Sequence, residues 1–129
     1  MDETDTINET TNKIIGAAIK IHSTLGPGLL ENVYEQCLYH LLTQEGLRVE
    51  RQIPVPINFE DLNFDTGFRL DILVNNSIIL EIKACESLLP VHTAQIYTYL
   101  KLTRKPLGLL MNFNTKLMKD GIKRIAMTH

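Results

Sequence analysis

Apolar residues recur along this chain at two different spacings, which predict three helices and five strands. Over residues 29–46 the spacing is three or four residues, as on one buried helix face; its members are Leu30, Val33, Tyr34, Cys37, Leu38, Leu41 and Leu42. A shorter stripe predicts a first helix over residues 12–25, which ends at the breaker Gly26-Pro27-Gly28. A third helix is predicted over residues 91–103, with Pro90 suited to its first turn.

The remaining apolar runs predict strands over residues 47–59, 68–74, 78–83, 107–113 and 122–127. Pro54 and Pro56 indicate an edge strand or a bulge in the first of these. Residues 60–67 are predicted to form an acidic turn, and residues 114–121 a second turn region. The order is helix, helix, three strands, helix, two strands. We therefore expect an α/β (α+β) fold in which helices flank a mixed central sheet.

The length of 129 residues suits one domain. We expect residues 1–11 to form a flexible polar lead and residues 12–129 to form the domain. The net charge of −2 excludes a strongly basic, histone-like protein but leaves room for a local basic groove. No window is apolar enough for a membrane span, and the acidic N-terminus does not resemble a signal peptide. Two cysteines, Cys37 and Cys85, are expected to stay reduced, which favours a cytoplasmic location and no membrane partner.

The stretch from residue 68 to residue 83 predicts a hairpin with charged residues inside its strands. A three-residue loop, residues 75–77, would give one apolar face with the pairs Val74–Ile78, Ile72–Leu80, Leu70–Ile82 and Phe68–Ala84. The other face would pair Leu73 with Ile79, Asp71 with Glu81, and Arg69 with Lys83. A two-residue Asn75-Asn76 turn is the competing register, and it would put Asp71 and Glu81 on opposite faces. We favour the first register because a slip of one residue destroys the facial segregation.

Paired carboxylates at this position favour a divalent cation, since two opposed carboxylates repel each other unless a positive charge lies between them. Asp71 and Glu81 could ligate Mg²⁺ or Mn²⁺, with the backbone carbonyl of Ile82 as a further ligand. These residue types are the ones that a metal-dependent phosphodiesterase needs. In such a reaction, Lys83 could orient the water that attacks the phosphate or could stabilise the phosphate oxygens. An aspartate or glutamate followed two positions later by a lysine occurs by chance about once in a chain of this length, so that motif alone is weak.

The third predicted helix places Gln95 and Tyr99 one turn apart, with His92 about a turn earlier. These residues could support the carboxylate site. They could equally be an exposed amide, a core aromatic residue and a histidine at a helix start. Nothing else in the chain has the cysteine and histidine spacing of a zinc site.

Residues 28–34, GLLENVY, resemble the signature of the GxxExxY proteins, a group within the PD-(D/E)xK nuclease superfamily. The resemblance continues through Asp71, the Glu81-Ile82-Lys83 motif, Gln95 to Tyr99, residues 107–113 and residues 119–124, so that it covers roughly residues 12–127. It departs from the superfamily pattern at Leu70, where a proline often precedes the aspartate. The resemblance implies a restriction-endonuclease-like core of order ααβββαββ.

The resemblance also implies that a catalytic set gathers at one site, namely Glu31, Asp71, Glu81, Lys83 and Gln95. The metal ligands it implies are Asp71, Glu81, Glu31 and the carbonyl of Ile82, with Tyr34, His92 and Tyr99 in support. Gln95 and Tyr99 resemble the Q-h-x-x-Y element of the superfamily's RecB-like exonuclease branch.

We therefore expect a Mg²⁺- or Mn²⁺-dependent nuclease acting on DNA, with endonuclease and exonuclease cleavage both open. Phosphate contacts could come from the basic residues Arg69, Lys83, Lys101, Arg104, Lys105, Lys116, Lys119, Lys123 and Arg124. Two alternatives stay open, because a fold does not determine a function. One is a catalytically inactive nucleic-acid-binding module. The other is an interaction subunit that works with a protein partner, and a homodimer is also possible.

Overall fold

The computed structural model describes residues 3–129. Its elements are α1 (Glu3–Leu25), α2 (Glu31–Gln44), β1 (Val49–Phe59), β2 (Leu62–Val74), β3 (Ile78–Lys83), α3 (Pro90–Thr103), β4 (Leu107–Asn112), a short 3₁₀ helix (Met118–Gly121) and β5 (Ile122–Ala126). The predicted order of helices and strands is confirmed. So is the α+β class with a mixed sheet.

The five strands lie in the sheet in chain order, β1-β2-β3-β4-β5. All neighbouring pairs are antiparallel except β3 and β4, which run parallel. A parallel pair needs a long crossover connection, and α3 supplies it. Because of this crossover, the ends of β3 and β4 lie at the same edge of the sheet.

Each face of the sheet has its own apolar core. Residues of α1 and α2 pack on one face, where Ile14, Tyr34 and Leu38 meet β-strand residues such as Ile72 and Leu80. On the opposite face, Ile96 and Leu100 of α3 pack against a smaller cluster of β-strand residues that includes Leu70, Leu73, Ile79, Leu110 and Ile125. The sheet is therefore the middle layer of three.

The first helix begins much earlier than the pattern predicts. Residues 3–11 are helical, so the expected flexible lead is wrong for these residues, while residues 1–2 lie outside the described part. Ile7 packs against the core, and the side chain of Thr11 is 2% exposed. The hydroxyl groups of Thr10 and Thr11 donate hydrogen bonds to the carbonyls of Thr6 and Ile7. These bonds satisfy the polar groups within the helix, so the threonines can be buried there.

The predicted acidic turn over residues 60–67 is also wrong, because β2 already begins at Leu62. The turn is confined to Glu60 and Asp61, and Phe59 pairs with Leu62 directly beyond it. β1 and β2 therefore form one long hairpin. The pairing of β2 with β3 extends only from Val74 to Ile72, so the outer part of this hairpin projects beyond the third strand.

Within the described residues, none of the helices is long and apolar enough to cross a membrane. Both cysteines, Cys37 and Cys85, are free thiols, as the sequence predicts.

Candidate metal-binding site between β2 and β3

The hairpin of β2 and β3 has the register that the three-residue loop predicts. Val74 pairs with Ile78, Leu73 with Ile79, and Ile72 with Leu80. Ladder pairing ends there, and Asp71 and Glu81 are the next residues on the two strands. The predicted pairs Leu70–Ile82 and Phe68–Ala84 are not formed as facing core pairs, because Leu70 and Phe68 pack with the α3 cluster and Ile82 packs on the other face.

Asp71 and Glu81 lie side by side at the point where the ladder opens. The Oδ2 atom of Asp71 accepts a hydrogen bond of 2.8 Å from the backbone N–H of Ile82. The backbone N–H of Asp71 lies 3.4 Å from Oε1 of Glu81. The side chains thus take the place of the missing ladder bonds, and this brings the two carboxyl groups together.

Burial makes this pair electrostatically costly. Glu81 is 4% exposed, and burial, followed by repulsion from Asp71, raises the pKa of Glu81 to about 9. Burial also raises the pKa of Asp71. Two buried carboxylates cannot both stay ionised unless a positive charge compensates them. The site therefore favours either a shared proton or a bound cation.

A buried carboxylate on α2 holds the distorted part of β1 that lies across from Asp71. Glu35, 5% exposed, accepts hydrogen bonds from Arg51 at 3.1 and 2.8 Å and from the side-chain amide of Gln52 at 2.8 Å. Arg51 and Gln52 are consecutive in β1 and would point to opposite faces of a regular strand. Gln52 has φ 50°, a left-handed conformation that lets both side chains reach Glu35.

The distortion at Gln52 lies directly across from Asp71. The pairs on either side are Arg51 with Ile72 and Ile53 with Leu70, which leaves Gln52 opposite Asp71 without a regular pair. On β2 the alternation of side chains between the two faces of the sheet also breaks at this point, since Leu70 and Ile72 pack in different cores.

The sequence analysis does not identify Glu35 as a functional residue. The only available signal was an acid on an otherwise apolar helix face.

The GxxExxY segment places Glu31 near the end of β3 and holds it there through Tyr34. The hydroxyl of Tyr34 donates to the carbonyl of Gly26 at 2.7 Å and accepts from the N–H of Leu29 at 3.1 Å. Its buried ring stacks on Phe113 with centroids 4.4 Å apart. Tyr34 therefore anchors the loop before α2, and α2 begins at Glu31.

Glu31 does not join the carboxylate pair directly. Its Oε2 atom accepts a hydrogen bond of 3.2 Å from the N–H of Ala84, just beyond Lys83. Among the residues that the structure describes, no three His, Cys, Asp or Glu side chains form a group that could hold a metal ion. Glu31 therefore lies near the same end of β3 as Asp71 and Glu81, but the three side chains do not form one cluster of ligands.

Lys83 is half-buried at the end of β3 and is not locked onto the carboxylates. The ion pairs found among residues 6–129 are Arg48–Glu50 and Arg51–Glu35. The positive charge of Lys83 lowers the pKa of Asp71 and of Glu81, although it is the last of the causes acting on each. The side chain is therefore close enough to act on the site electrostatically while its ammonium group stays available.

On α3, the three predicted supporting residues have different surroundings. The ring of Tyr99 stacks on Phe68 with centroids 4.2 Å apart, and burial together with the charges of Glu81 and Asp71 raises the pKa of Tyr99. Gln95 is exposed one turn earlier. His92 accepts a hydrogen bond of 3.0 Å from the N–H of Leu89 through Nδ1, which is a cap at the start of α3. His92 therefore has a structural bond in place of a ligand position.

Asn112, which the sequence analysis also missed, positions the loop that follows β3. Its Oδ1 atom accepts from the N–H groups of Cys85 and Asn114, each at 3.1 Å, and its Nδ2 donates to the carbonyl of Cys85 at 3.0 Å. The side chain is buried at the end of β4. It fixes the chain immediately after Lys83, so it helps to determine where Lys83 and the Glu31 contact lie.

A family model described as the PD-(D/E)XK nuclease superfamily matches residues 8–125. The chain belongs to this superfamily. The match runs from within α1 to within β5 and includes Glu31, Asp71, Glu81 and Lys83. The narrower GxxExxY resemblance stays a prediction. A search of curated proteins finds no match.

One solved structure, the crystal structure of SSO0001, is similar to this chain with a TM-score of 0.51 and 22% identity. The similarity covers 77% of this chain and 50% of that chain, so this chain spans about half the length of the solved structure it matches. At this identity the similarity shows a shared fold.

Proposed function

We propose that the protein is a nuclease that hydrolyses phosphodiester bonds of DNA with Mg²⁺ or Mn²⁺. The observation that carries this proposal is the buried pair Asp71 and Glu81 at the opening of the β2–β3 ladder, followed by the half-buried Lys83. Nucleases of the superfamily generally use divalent cations, and a nucleic acid is the substrate that superfamily membership implies. The choice of DNA and of these two ions is the finer part of the proposal.

The donor set suits a hard divalent cation. Carboxylate and carbonyl oxygens are the ligands that Mg²⁺ and Mn²⁺ prefer. In a strand, the N–H and C=O groups of one residue point to the same side. The N–H of Ile82 donates to Asp71, so the carbonyl of Ile82 should also point towards the carboxylate pair. The carbonyl of the next residue, Lys83, accepts a hydrogen bond from the N–H of Phe113 on the β4 side. Asp71, Glu81 and this carbonyl would hold the ion.

When bound there, a cation would lower the pKa of a water molecule and offset the negative charge of the phosphate. Lys83 projects from the same strand and would orient the attacking water or donate to a phosphate oxygen. Glu31, at the Ala84 end of β3, is placed to accept hydrogen bonds from water at the open side of the site.

Gln95 and Tyr99 would complete the α3 side of the site. Tyr99 is held by its stacking on Phe68 and lies within the electrostatic field of both carboxylates. Gln95, exposed one turn before it, is free to contact the substrate backbone or a bound water. Exposed cations of the segment after β4 and of β5, namely Lys116, Lys119, Lys123 and Arg124, supply candidate phosphate contacts. Of these, Arg124 already donates a hydrogen bond to the side chain of Asn8.

The location that we propose is the cytoplasm, because Cys37 and Cys85 are free thiols that suit a reducing compartment.

The test is cleavage of labelled single- and double-stranded DNA, and of RNA, with Mg²⁺, with Mn²⁺ and with a chelator. We expect cleavage of DNA that needs the ion and falls by 10²-fold or more, as an order of magnitude, in Glu81→Gln. Glu86→Gln, an exposed acid five residues further along the chain, is the matched control and should keep the activity. Cleavage that is equal in the wild type and in Glu81→Gln would show that the activity belongs to a contaminant.

One observation favours a second candidate, a nucleic-acid-binding module without catalysis. Oδ2 of Asp71 already accepts the Ile82 N–H, and Glu31 is bonded to Ala84, so the described residues lack a ready group of three ligands. DNA binding without turnover, together with no heat of Mn²⁺ binding in calorimetry, would favour this candidate over the nuclease.

A further inference from the structure

The outer part of the β1–β2 hairpin, residues 55–68, projects from the sheet as a preformed arm. β1 pairs with β2 out to Phe59 and Leu62 at its tip, whereas β2 pairs with β3 only as far as Ile72. Close packing stiffens the arm, since a Cβ at Gly67 would overlap the side chain of Ile57. The arm is therefore a rigid projection that the fold of one copy does not cover.

The arm carries an unusual amount of exposed apolar surface. Phe59 is 64% exposed, Leu62 58% and Phe64 49%. Single exposed apolar residues are ordinary, but three large ones on one short hairpin mark a surface that another molecule covers.

The charge of the arm excludes DNA as that molecule. Residues 55–68 contain Glu60, Asp61 and Asp65 and no lysine or arginine. A DNA duplex is a dense polyanion that repels such a segment. The complement of the arm is a protein surface with an apolar floor and a positively charged rim.

This chain has such a surface in the groove between α1 and α2. The groove has a volume of about 300 Å³, its apolar floor includes Ile21, Leu25, Cys37 and Leu41, and Lys20 lies at its edge. Towards the start of α1, Lys13 and Lys20 line the adjoining hollow together with Glu45, so that the hollow carries two positive charges and one negative charge. The arm has acidic residues beside its apolar side chains, and the groove has Lys20 beside its apolar floor, with Lys13 in the adjoining hollow.

We propose that two copies of the chain form a dimer in which the arm of each copy docks in the α1–α2 groove of the other. A stable interface buries roughly 800 Å² on each partner. Reciprocal docking doubles the contact, because every copy contributes both an arm and a groove, as two-fold symmetry requires. The inference is independent of the nuclease chemistry, since neither surface includes Asp71, Glu81 or Lys83.

Analytical ultracentrifugation over a micromolar concentration series tests the dimer. We expect a concentration-dependent dimer whose dissociation constant rises about ten-fold or more in the arm variant Phe59→Asp and in the groove variant Leu25→Asp. Val91→Asp is the matched control, since Val91 is 62% exposed on α3 outside both surfaces. Circular dichroism spectra of all variants would establish that each is folded.

Mixing the two variants gives the sharpest outcome. In a mixed pair, the intact arm of Leu25→Asp meets the intact groove of Phe59→Asp, so one of the two contacts survives. We expect the mixture to dimerise more tightly than either variant alone. A monomeric wild type would overturn the proposal and leave the arm to a different protein. So would a wild-type dimer that Phe59→Asp leaves unchanged, or a mixture no tighter than its components.

Discussion

The side-chain amide of Gln52 donates a 2.8 Å hydrogen bond to Glu35, which joins the distorted residue of β1 to helix α2. Gln52 lies opposite Asp71 in the pairing of β1 with β2 and has φ 50°. A left-handed residue within a strand persists only when its surroundings over-determine it. Glu35 supplies that restraint, so the distortion of β1 opposite Asp71 depends on a residue of another element.

Replacing Glu35 should therefore loosen the candidate metal site. We expect Glu35→Ala to weaken Mn²⁺ binding by about 10-fold, the low end of what loss of an outer hydrogen-bond partner costs. The effect is at the low end because Glu35 bonds to Arg51 and Gln52 and not to a proposed ligand itself. Calorimetric titration with Mn²⁺ measures this. Arg48→Ala is the control. It removes the exposed ion pair with Glu50 beside the start of β1 and should leave the affinity for Mn²⁺ unchanged. A second measurement needs no metal: exchange of the Ile82 amide proton should accelerate in Glu35→Ala, and unchanged protection would contradict the proposed restraint.

The Glu81 carboxyl should make the metal-free protein less stable as the pH rises. Its pKa is 4.5 ordinarily and about 9 in the folded chain, so the folded state holds the proton over a range in which the unfolded chain has lost it. The stabilising contribution of this proton is complete at pH values below the unfolded-state pKa of 4.5. It is lost progressively as the pH rises towards the folded-state pKa of about 9. Asp71, whose pKa is also raised, acts in the same direction.

Urea unfolding in the presence of a chelator, at about pH 5 and about pH 8, measures this loss. We expect Glu81→Gln to be more stable than the wild type at the higher pH by about 1–3 kcal/mol, because the wild type must take up a proton on folding at that pH and the variant need not. At the lower pH the two proteins should be nearly equal. Added Mn²⁺ should stabilise the wild type and have no such effect on the variant. A wild type that gains stability relative to the variant with rising pH would contradict the electrostatic account.

Removing the Tyr34 hydroxyl should release the loop before α2. Tyr34→Phe keeps the stacking on Phe113 but loses the bonds to Gly26 and Leu29, so we expect a stability loss of about 1–2 kcal/mol. The start of α2, and with it Glu31, should become more mobile. Thermal unfolding measures the stability, and amide exchange at Ala84, whose N–H donates to Glu31, measures the local effect. Tyr39→Phe, on the exposed side of α2, should change neither.

Gly121 allows the 3₁₀ helix to approach the end of β4. A Cβ at this position would overlap the backbone carbonyl oxygen of Asn112, whose side chain holds the loop after Lys83. We expect Gly121→Ala to destabilise the protein by about 1–3 kcal/mol through overpacking. Gly16→Ala is a matched control, because no atom lies near its added methyl group and it is in the middle of α1. That control should be neutral or stabilising, as alanine has the higher helix propensity. Equal effects of the two substitutions in urea unfolding would contradict the packing argument.

The order of elements and the carboxylate pair follow from the sequence alone. Spacings of three to four residues over residues 29–46, and a turn with two flanking apolar runs around residues 75–77, are local patterns that neighbours in the chain determine. The register of β2 and β3 follows for the same reason, since only one register segregates the apolar side chains from Asp71 and Glu81.

Tertiary structure decided the features that depend on partners far away in the chain. Thr11 and Ile7 extend α1 because they are buried against distant elements, although their own segment is polar. Leu70 and Ile72 pack on different faces because Glu35, on another helix, stabilises the distortion opposite Asp71. Local spacing determines which residues share a helix face or a strand. It does not specify where a regular strand will be broken, because that depends on a buried charge that only the assembled fold brings into contact.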